Sequence, residues 1–321
     1  MLAIQAVRTG GPEVLEAVDL RVPTPGPGQV LVRHQAVGLN FIDTYHRSGL
    51  YPMKMPVVLG LEAAGVVEAL GDGVTRFKAG DRIGYNGTLG AYAQAAVVPA
   101  DRAVKVPDEV SLETAAAVLL KGMTAEFLVR RCHKVEPGQT ILVHAAAGGV
   151  GSILVQWAKA LGATVIATVG SEAKAALARG HGADHVILYG EEDVAAKVAE
   201  ITGGQGVAVV YDGVGKDTFE TSLKSLGRRG VLATFGNASG PAPAIAPLEL
   251  GAKSLFVTRP RLFDYIATTT ELDESAAALF AVLASGAVKI EVGQTFPLAQ
   301  ARAAHEALEG RRTTGATLLI P

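Results

Sequence analysis

The chain is poor in the residues that build covalent or metal frameworks. It contains a single cysteine, Cys132, so neither an internal disulfide nor a zinc lobe of four thiolates is available to it. Nothing in that count points to an oxidising compartment. The seven histidines form no ligand cluster. Cys132 and His133 are adjacent, and His181 and His185 are separated by Gly182, which argues against a helix that would align them. Excess charge is also missing. Lys and Arg number 29 against 31 Asp and Glu, a net charge of −2, so no long-range field draws the protein to nucleic acid or to an anionic membrane. A long apolar run is absent. The most membrane-like window, Ile141 to Ala158, is interrupted by His144, Gln156, Gly148, Gly149 and Gly151, whereas a spanning helix needs about 20 mainly apolar residues. The start of the chain shows no charged-then-apolar signal pattern. These absences together predict a soluble, cytoplasmic protein. No G-x-S-x-G elbow and no Tyr-x-x-x-Lys pair occur, which speaks against a hydrolase and against a short-chain dehydrogenase.

What is present is apolar and rich in glycine. The 321 residues are 49% hydrophobic, with a mean hydropathy of +0.30. That length suggests about two domains at roughly 150 residues each and is ample for a buried core. The 38 glycines are about 12% of the chain, against a usual share of about 7%. With no Gly-X-Y period, they must serve turns and close backbone approaches.

Residues 1 to about 120 read as short strands broken by turns. Val30 to Asn40 follows the turn-rich Pro23 to Gly28, Val57 to Leu70 is apolar, and turns are expected at Asp72-Gly73 and Ala79-Gly80-Asp81. This suggests an irregular, barrel-like domain. From about 121 to 260, apolar strands alternate with helices. Strands are expected at Thr140–His144, Ala163–Val169, His185–Tyr189, Val207–Asp212, Gly230–Phe235 and Ser254–Thr258. Helices are expected at Val150–Leu161, from Ser171 to Arg179, at Glu191–Ile201 and near Lys216–Leu226. Such alternation predicts a six-stranded parallel sheet, covered on both faces. Toward the end, Ser275–Ala284 and Leu298–Leu308 read as helices and Ala316–Ile320 as a strand.

One motif carries chemistry. His144-Ala145-Ala146-Ala147-Gly148-Gly149-Val150-Gly151 joins the first strand of the alternating unit to its first helix. Gly148 and Gly151 keep the spacing of the second half of G-x-G-x-x-G, and backbone N–H groups there can meet a pyrophosphate at a helix N-terminus. The bland reading is a tight turn; the six-strand setting favours a dinucleotide. The second strand of such a unit usually ends in an acid that holds the ribose hydroxyls of NAD. Here it ends Thr168-Val169-Gly170-Ser171, and Lys174 follows. That favours the 2′-phosphate of NADP(H). Glu172 opposes this by charge, and a merely solvated Lys174 is the alternative.

Several stretches in matching order then resemble a known family: Asn40-Phe41-Ile42-Asp43-Thr44-Tyr45, Gly49-Leu50-Tyr51, Gly80-Asp81-Arg82, Lys121-Gly122-Met123-Thr124, the glycine loop, Phe235-Gly236-Asn237, Ala304-His305-Glu306 and Leu318-Leu319-Ile320-Pro321. The chain resembles the zinc-free quinone oxidoreductase branch of the medium-chain dehydrogenases/reductases, the group that includes zeta-crystallin. The resemblance implies an α/β fold in which a Rossmann domain, doubly wound on a six-stranded parallel sheet (residues 123–261), is inserted into a GroES-like β-rich domain (residues 1–122 and 262–321). It also implies a homodimer joined through Rossmann sheet edges. Zinc-dependent relatives carry Gly-His-Glu where this chain has Gly60-Leu61-Glu62, and their first cysteine ligand falls near Asn40, so no catalytic metal is expected. A quinone is electrophilic enough to take hydride without a Lewis acid, leaving positioning and a dry pocket to do most of the work.

Site roles carried over by this resemblance are as follows. Asn40 and Thr124 are expected beside the nicotinamide ribose or amide of NADPH, and the backbone of Ala147, Gly148, Gly149 and Val150 at the pyrophosphate. Gly170, Ser171, Lys174, Tyr189 and Arg311 are expected around the 2′-phosphate, and Phe235, Asn237 and Thr258 along the cofactor. Tyr45, Tyr51 and Arg47 are expected with Asn40 at the quinone, the competing reading of the tyrosines being packing in a barrel loop. His46 reads as a surface residue, and Gly213 has no assigned role. The activity implied is hydride transfer from NADPH to a quinone. The alternatives are an enoyl or alkenal reductase acting on an activated C=C bond and, in another class, a zeta-crystallin-like RNA-binding protein. The net charge and the lack of a basic run argue against the last.

Overall fold

A computed structural model describes all 321 residues. The chain divides into two compact units, Met1–Met123 with Ile266–Phe280 and Ile290–Pro321, and Thr124–Tyr265 with Ala281–Lys289.

The first unit is mostly β. Strand β1 (Leu2–Ala6) lies between β2 (Leu15–Asp19) and β4 (Val57–Val58) in a small antiparallel sheet. A larger sheet contains β3 (Gln29–Leu39), β5 (Glu62–Leu70), β6 (Arg82–Asn86), β7 (Ala95–Pro99), β8 (Ala103–Lys105), β15 (Val292–Pro297) and β16 (Ala316–Ile320). Its central ladder pairs β3 with β5, and β16 returns from the far end of the chain to pair antiparallel with β3, Leu318 opposite Gly38. Leu39, Leu59, Ile83, Tyr85, Tyr92 and Leu319 are buried in its core. The apolar stretch Val57 to Leu70 forms two strands, β4 and β5, parted at Gly60, which takes φ +87° and where a Cβ would lie 2.2 Å from the ring of Tyr92. Helix α1 (Phe41–Ser48) follows β3, and α2 (Leu112–Phe127) packs buried Ala115, Ala116 and Ala117 with Ala36, Ala64 and Leu318.

The second unit has a parallel six-stranded sheet in the order β11-β10-β9-β12-β13-β14. Its strands are β9 (Thr140–Val143), β10 (Thr164–Val169), β11 (His185–Leu188), β12 (Val207–Asp212), β13 (Leu226–Thr234) and β14 (Phe256–Thr258). The register places Ile166, Leu142, Val210 and Leu232 side by side across four neighbouring strands, all fully buried. Helices α3 (Gly149–Ala160), α4 (Glu172–Gly180), α5 (Val194–Ile201), α6 (Phe219–Ser225) and α7 (Leu262–Tyr265) lie along this part of the chain. Two of them start later than the hydrophobic pattern suggests, for local reasons. Asp193 caps α5 by accepting from the N–H of Ala196 at 3.0 Å, and the Thr218 hydroxyl ahead of α6 is bonded to Asp212. Near the chain end, α8 (Thr269–Ala284) and α9 (Ala301–Glu309) take the two expected helical stretches, α8 beginning six residues early.

Candidate functional site

The glycine loop turns the chain from β9 into α3. Ala145 takes φ +50°, and the N–H of Gly148 reaches back to its carbonyl at 2.9 Å. Gly151 sits so close that a Cβ would lie 2.3 Å from the same carbonyl oxygen. Gly148 occupies the N-cap of α3 and brings no side-chain acceptor, so the first-turn N–H groups face outward without a cap. Gly148, Gly149 and Val150 are partly exposed, while Ala147 is buried. An uncapped start of a 12-residue helix with its positive dipole end is an anion site. The strand order reverses direction between β9 and β12, and ligands of open α/β sheets bind at such a switch point.

A buried network holds this switch point. His144 lies 2.8 Å from Thr168 Oγ1 through Nδ1 and 3.1 Å from Ser222 Oγ through Nε2. Ser222 donates to Asp212 Oδ2 at 3.0 Å, so it accepts from His144 Nε2–H, and Nδ1 must accept from Thr168. Burial lowers the His144 pKa, against the pull of Asp212. Asp212 Oδ1 accepts the N–H groups of Val214 and Gly215 at 2.8 and 3.0 Å, which shapes the turn after β12. Gly213, unassigned from sequence, gains a packing reason. A Cβ there would lie 3.1 Å from the Phe235 ring, and the N–H of Phe235 bonds to the Asp212 carbonyl at 2.8 Å. Phe235 and Asn237 thus belong to a loop folded onto the β12 turn, and Thr258 ends the neighbouring strand β14, opposite Ala233.

The end of β10 gathers Gly170, Ser171, Lys174 and Tyr189. Ser171 caps α4 by accepting from the N–H of Lys174 at 3.4 Å. The Tyr189 hydroxyl covers Gly170, 2.4 Å from where a Cβ would stand, and Tyr189 is 48% exposed. Glu172, the residue opposing an anion here, is paired with Arg179 at 2.6 Å. Arg311 belongs to the other unit, exposed after α9 with φ +57°. Thr124 is buried in α2.

In the first unit, the segment read from sequence as a barrel loop is helix α1. The N–H of Asn40 donates to Asp43 Oδ2 at 2.9 Å, the N–H of Asp43 donates to the Asn40 carbonyl at 3.0 Å, and Gly49 closes the helix at φ +85°. The spacing Asn-x-x-Asp carried that signal. Tyr45 is buried, its ring 5.3 Å from that of Tyr51 in an edge contact. His46 is half-buried rather than on the surface. Its Nδ1 lacks a partner, and burial lowers its pKa. Arg47 is not free to face a substrate. Its guanidinium donates to the Gly10 carbonyl at 3.1 Å, to His305 Nδ1 at 3.0 Å, and to both oxygens of Glu309 at 2.7 and 2.8 Å.

Sequence reasoning missed the rest of that chain. Arg47 can only donate, so His305 Nδ1 accepts, and its Nε2–H reaches the Tyr92 hydroxyl at 3.0 Å. Tyr92 in turn donates to Asp43 Oδ2 at 3.0 Å. Burial, reinforced by Arg47, drives the His305 pKa down to about 3, and burial pushes Asp43 up to about 7. A second missed pair, Glu62 and Lys121, lies buried beside Asn40 with the charges 3.2 Å apart. No group of three or more His, Cys, Asp or Glu side chains is arranged to hold a metal ion.

Comparison with known proteins fits this frame. Residues 26–108 match the family "Alcohol dehydrogenase GroES-like domain" and residues 149–282 the family "Zinc-binding dehydrogenase". The chain is 52% identical to a quinone oxidoreductase of Pseudomonas aeruginosa, with 99% of each chain covered. It is 47% identical to a 2-haloacrylate reductase of a Burkholderia species, over 98% of this chain and 97% of that one. The solved structure of Escherichia coli quinone oxidoreductase complexed with NADPH superimposes with a TM-score of 0.98 at 49% identity, covering all of both chains. With half of its residues shared along its entire length, the chain belongs to the quinone oxidoreductase family of the medium-chain dehydrogenases/reductases.

Proposed function

We propose that the protein is an NADPH-dependent quinone oxidoreductase. The observation that carries the reading is the uncapped, glycine-lined start of α3 at the switch point of the parallel sheet, in a chain that matches quinone oxidoreductases end to end. The residues present fit NADPH. The backbone of Ala147, Gly148, Gly149 and Val150 cradles the pyrophosphate, with the N–H groups of Gly149 and Val150 as donors, since that of Gly148 is bonded to the Ala145 carbonyl. Lys174 and Ser171 take the 2′-phosphate at the acid-free end of β10, where Gly170 leaves room and Tyr189 covers it, with Arg311 as a further cation. Phe235, Asn237 and Thr258 border the cofactor, and Asn40 and Thr124 orient its nicotinamide end. NADPH supplies the hydride that a quinone accepts. Tyr45 and Tyr51 form an aromatic wall for the quinone. Arg47 holds α1 in place through Glu309 and His305 instead of touching substrate.

Reduction of an activated C=C bond is the second reading, favoured by the 47% identity to a 2-haloacrylate reductase. A homodimer formed through sheet edges and a cytoplasmic setting complete the proposal, the single thiol agreeing with a reducing compartment. The test is cofactor oxidation followed at 1:1 comparison of NADPH and NADH with a panel of quinones and 2-haloacrylate. Turnover with quinones and NADPH is expected, and none with any quinone refutes the leading reading. Lys174→Ala should raise KM for NADPH about tenfold, the worth of a charged contact, and leave KM for NADH nearly unchanged. An equal rise for both cofactors removes Lys174 from the phosphate site.

A further inference from the structure

The polar groups around Asn40 determine which edge of its amide is left for a ligand. Its Nδ2 lies 2.8 Å from Glu62 Oε2 and 3.3 Å from the Gly38 carbonyl. Both of these atoms only accept, so the atom facing them must be the amide nitrogen. Glu62 is itself pinned. Its Oε1 accepts the N–H of Leu120 at 2.6 Å, and its Oε2 accepts Lys121 Nζ at 3.2 Å. Neither Glu62 nor Lys121 has appreciable contact with solvent. Gly38 makes the arrangement possible, since a Cβ there would lie 2.2 Å from Glu62 Oε2 and 2.4 Å from the Ala116 carbonyl oxygen. The backbone of Asn40 is fixed separately, by Asp43. The amide edge not engaged by Glu62 and Gly38 is Oδ1, a pure acceptor.

We propose that Glu62, held by Lys121, is a positioning residue that locks the Asn40 amide with Oδ1 presented to hydrogen-bond donors of the bound cofactor. This rests on the placement of Asn40 at the nicotinamide end of NADPH. The donors available there are a ribose hydroxyl and the carboxamide N–H. An isolated asparagine offers either edge at equal cost; here a flip would set the amide oxygen against the buried Glu62 carboxylate and the Gly38 carbonyl, both of which only accept.

The test is a double-mutant cycle read by NADPH fluorescence titration on the protein without substrate. Glu62→Gln should weaken NADPH binding about tenfold, because the new amide brings a donor against Asn40 Nδ2 or the N–H of Leu120. In an Asn40→Ala background the same substitution should change affinity less than twofold. An equal loss in both backgrounds overturns the role of Glu62. The unaltered, ¹⁵N-labelled protein gives a second measurement that needs no variant. The Asn40 side-chain amide protons should be protected from exchange before NADPH is added and stay protected after, and free exchange in the absence of NADPH overturns the proposal. A 3-acetylpyridine analogue of NADPH, which lacks the carboxamide N–H, separates the two donors: tenfold weaker binding than NADPH, abolished by Glu62→Gln, assigns the carboxamide, and equal binding assigns the ribose. Failure of the unaltered protein to bind NADPH appears before any substitution, and refutes the cofactor reading separately from the protection of Asn40.

Discussion

Asp43 is a carboxyl group held away from water inside the first unit. It is fully buried, its Oδ1 has no partner, and only the N–H of Asn40 and the Tyr92 hydroxyl reach its Oδ2. Burial, with Glu62 adding repulsion and Lys121 attraction, places its pKa at about 7 against an ordinary 3.8. The folded pKa is raised, so the folded chain holds a proton that the unfolded chain has lost across this interval. The contribution of Asp43 to stability is full below about pH 3.8 and disappears as pH rises to about 7. His34 and His305, driven down to about 4 and about 3 by burial, act in the opposite sense: their contribution is present above about pH 6.5 and lost as pH falls. Comparing Asp43→Asn with the unaltered chain cancels the histidines, which both share. The variant should therefore lose several degrees more in melting temperature at pH 5 than at pH 8. A difference that does not change with pH would show that Asp43 is ionised throughout. The residue-scale signals for this cluster were partly legible. Asn40 and Asp43 stand three apart, as a helix start requires, but no sequence pattern joins Tyr92 and His305, which are 213 positions apart.

At the scale of the element, the glycine loop illustrates why the parallel unit was readable from sequence. Buried parallel strands are short apolar runs, and the helices between them stop near glycines: Gly162 at φ +86° after α3, and, after α4, Gly182 at φ +98°, two residues beyond Gly180, the stop expected from sequence, which is the last residue of the helix. Each signal lies within a few residues of the element it defines. The strands of the other unit gave less. Their partners are set by long-range register, so β15 was not foreseen, and α2 is masked by an alanine run that fits helix or buried strand alike. Not every glycine in the nucleotide-facing elements is equally constrained. At Gly151 the obstacle to a side chain is the Ala145 carbonyl, part of the backbone that shapes the loop. At Gly170 it is the tip of an exposed tyrosine, which can swing aside. Gly151→Ala should cost about 1–3 kcal/mol, as overpacking typically does, and weaken NADPH binding at least tenfold by displacing the loop. Gly170→Ala should melt within about 0.5 kcal/mol of the unaltered chain. Thermal melts and NADPH titrations of both variants check this, and a Gly151→Ala protein that melts and binds normally would show that the loop tolerates the shift.

For the whole molecule, the composition set a two-part chain, and the structure shows that the first part closes on itself from both ends, because β16 completes the sheet begun by β3. Hydropathy cannot reveal that pairing; it depends on which strand edge is left open. The same question of open edges bears on assembly. The parallel sheet ends at β14, which pairs with β13 alone. An edge strand with unpaired N–H and carbonyl groups is a template for another chain unless it is blunted. With three residues β14 offers only a short template, but Phe256 is 61% exposed on it, and Leu248, shortly before it, is 89% exposed. The opposite edge, β11, begins with exposed His185, and the exposed aromatic that directly follows it, Tyr189, lies over Gly170. The homodimer proposed above is therefore expected to use β14. Sedimentation of the unaltered protein should give about twice its 33.0 kDa chain mass, since burying such apolar side chains is worth about 1.5–3 kcal/mol each. Phe256→Glu should place two carboxylates in the same joint and shift the protein to the monomer mass, with NADPH affinity retained because Phe256 lies outside the glycine loop. A monomer before substitution removes the β14 interface, and a dimer that survives Phe256→Glu moves it elsewhere on the molecule.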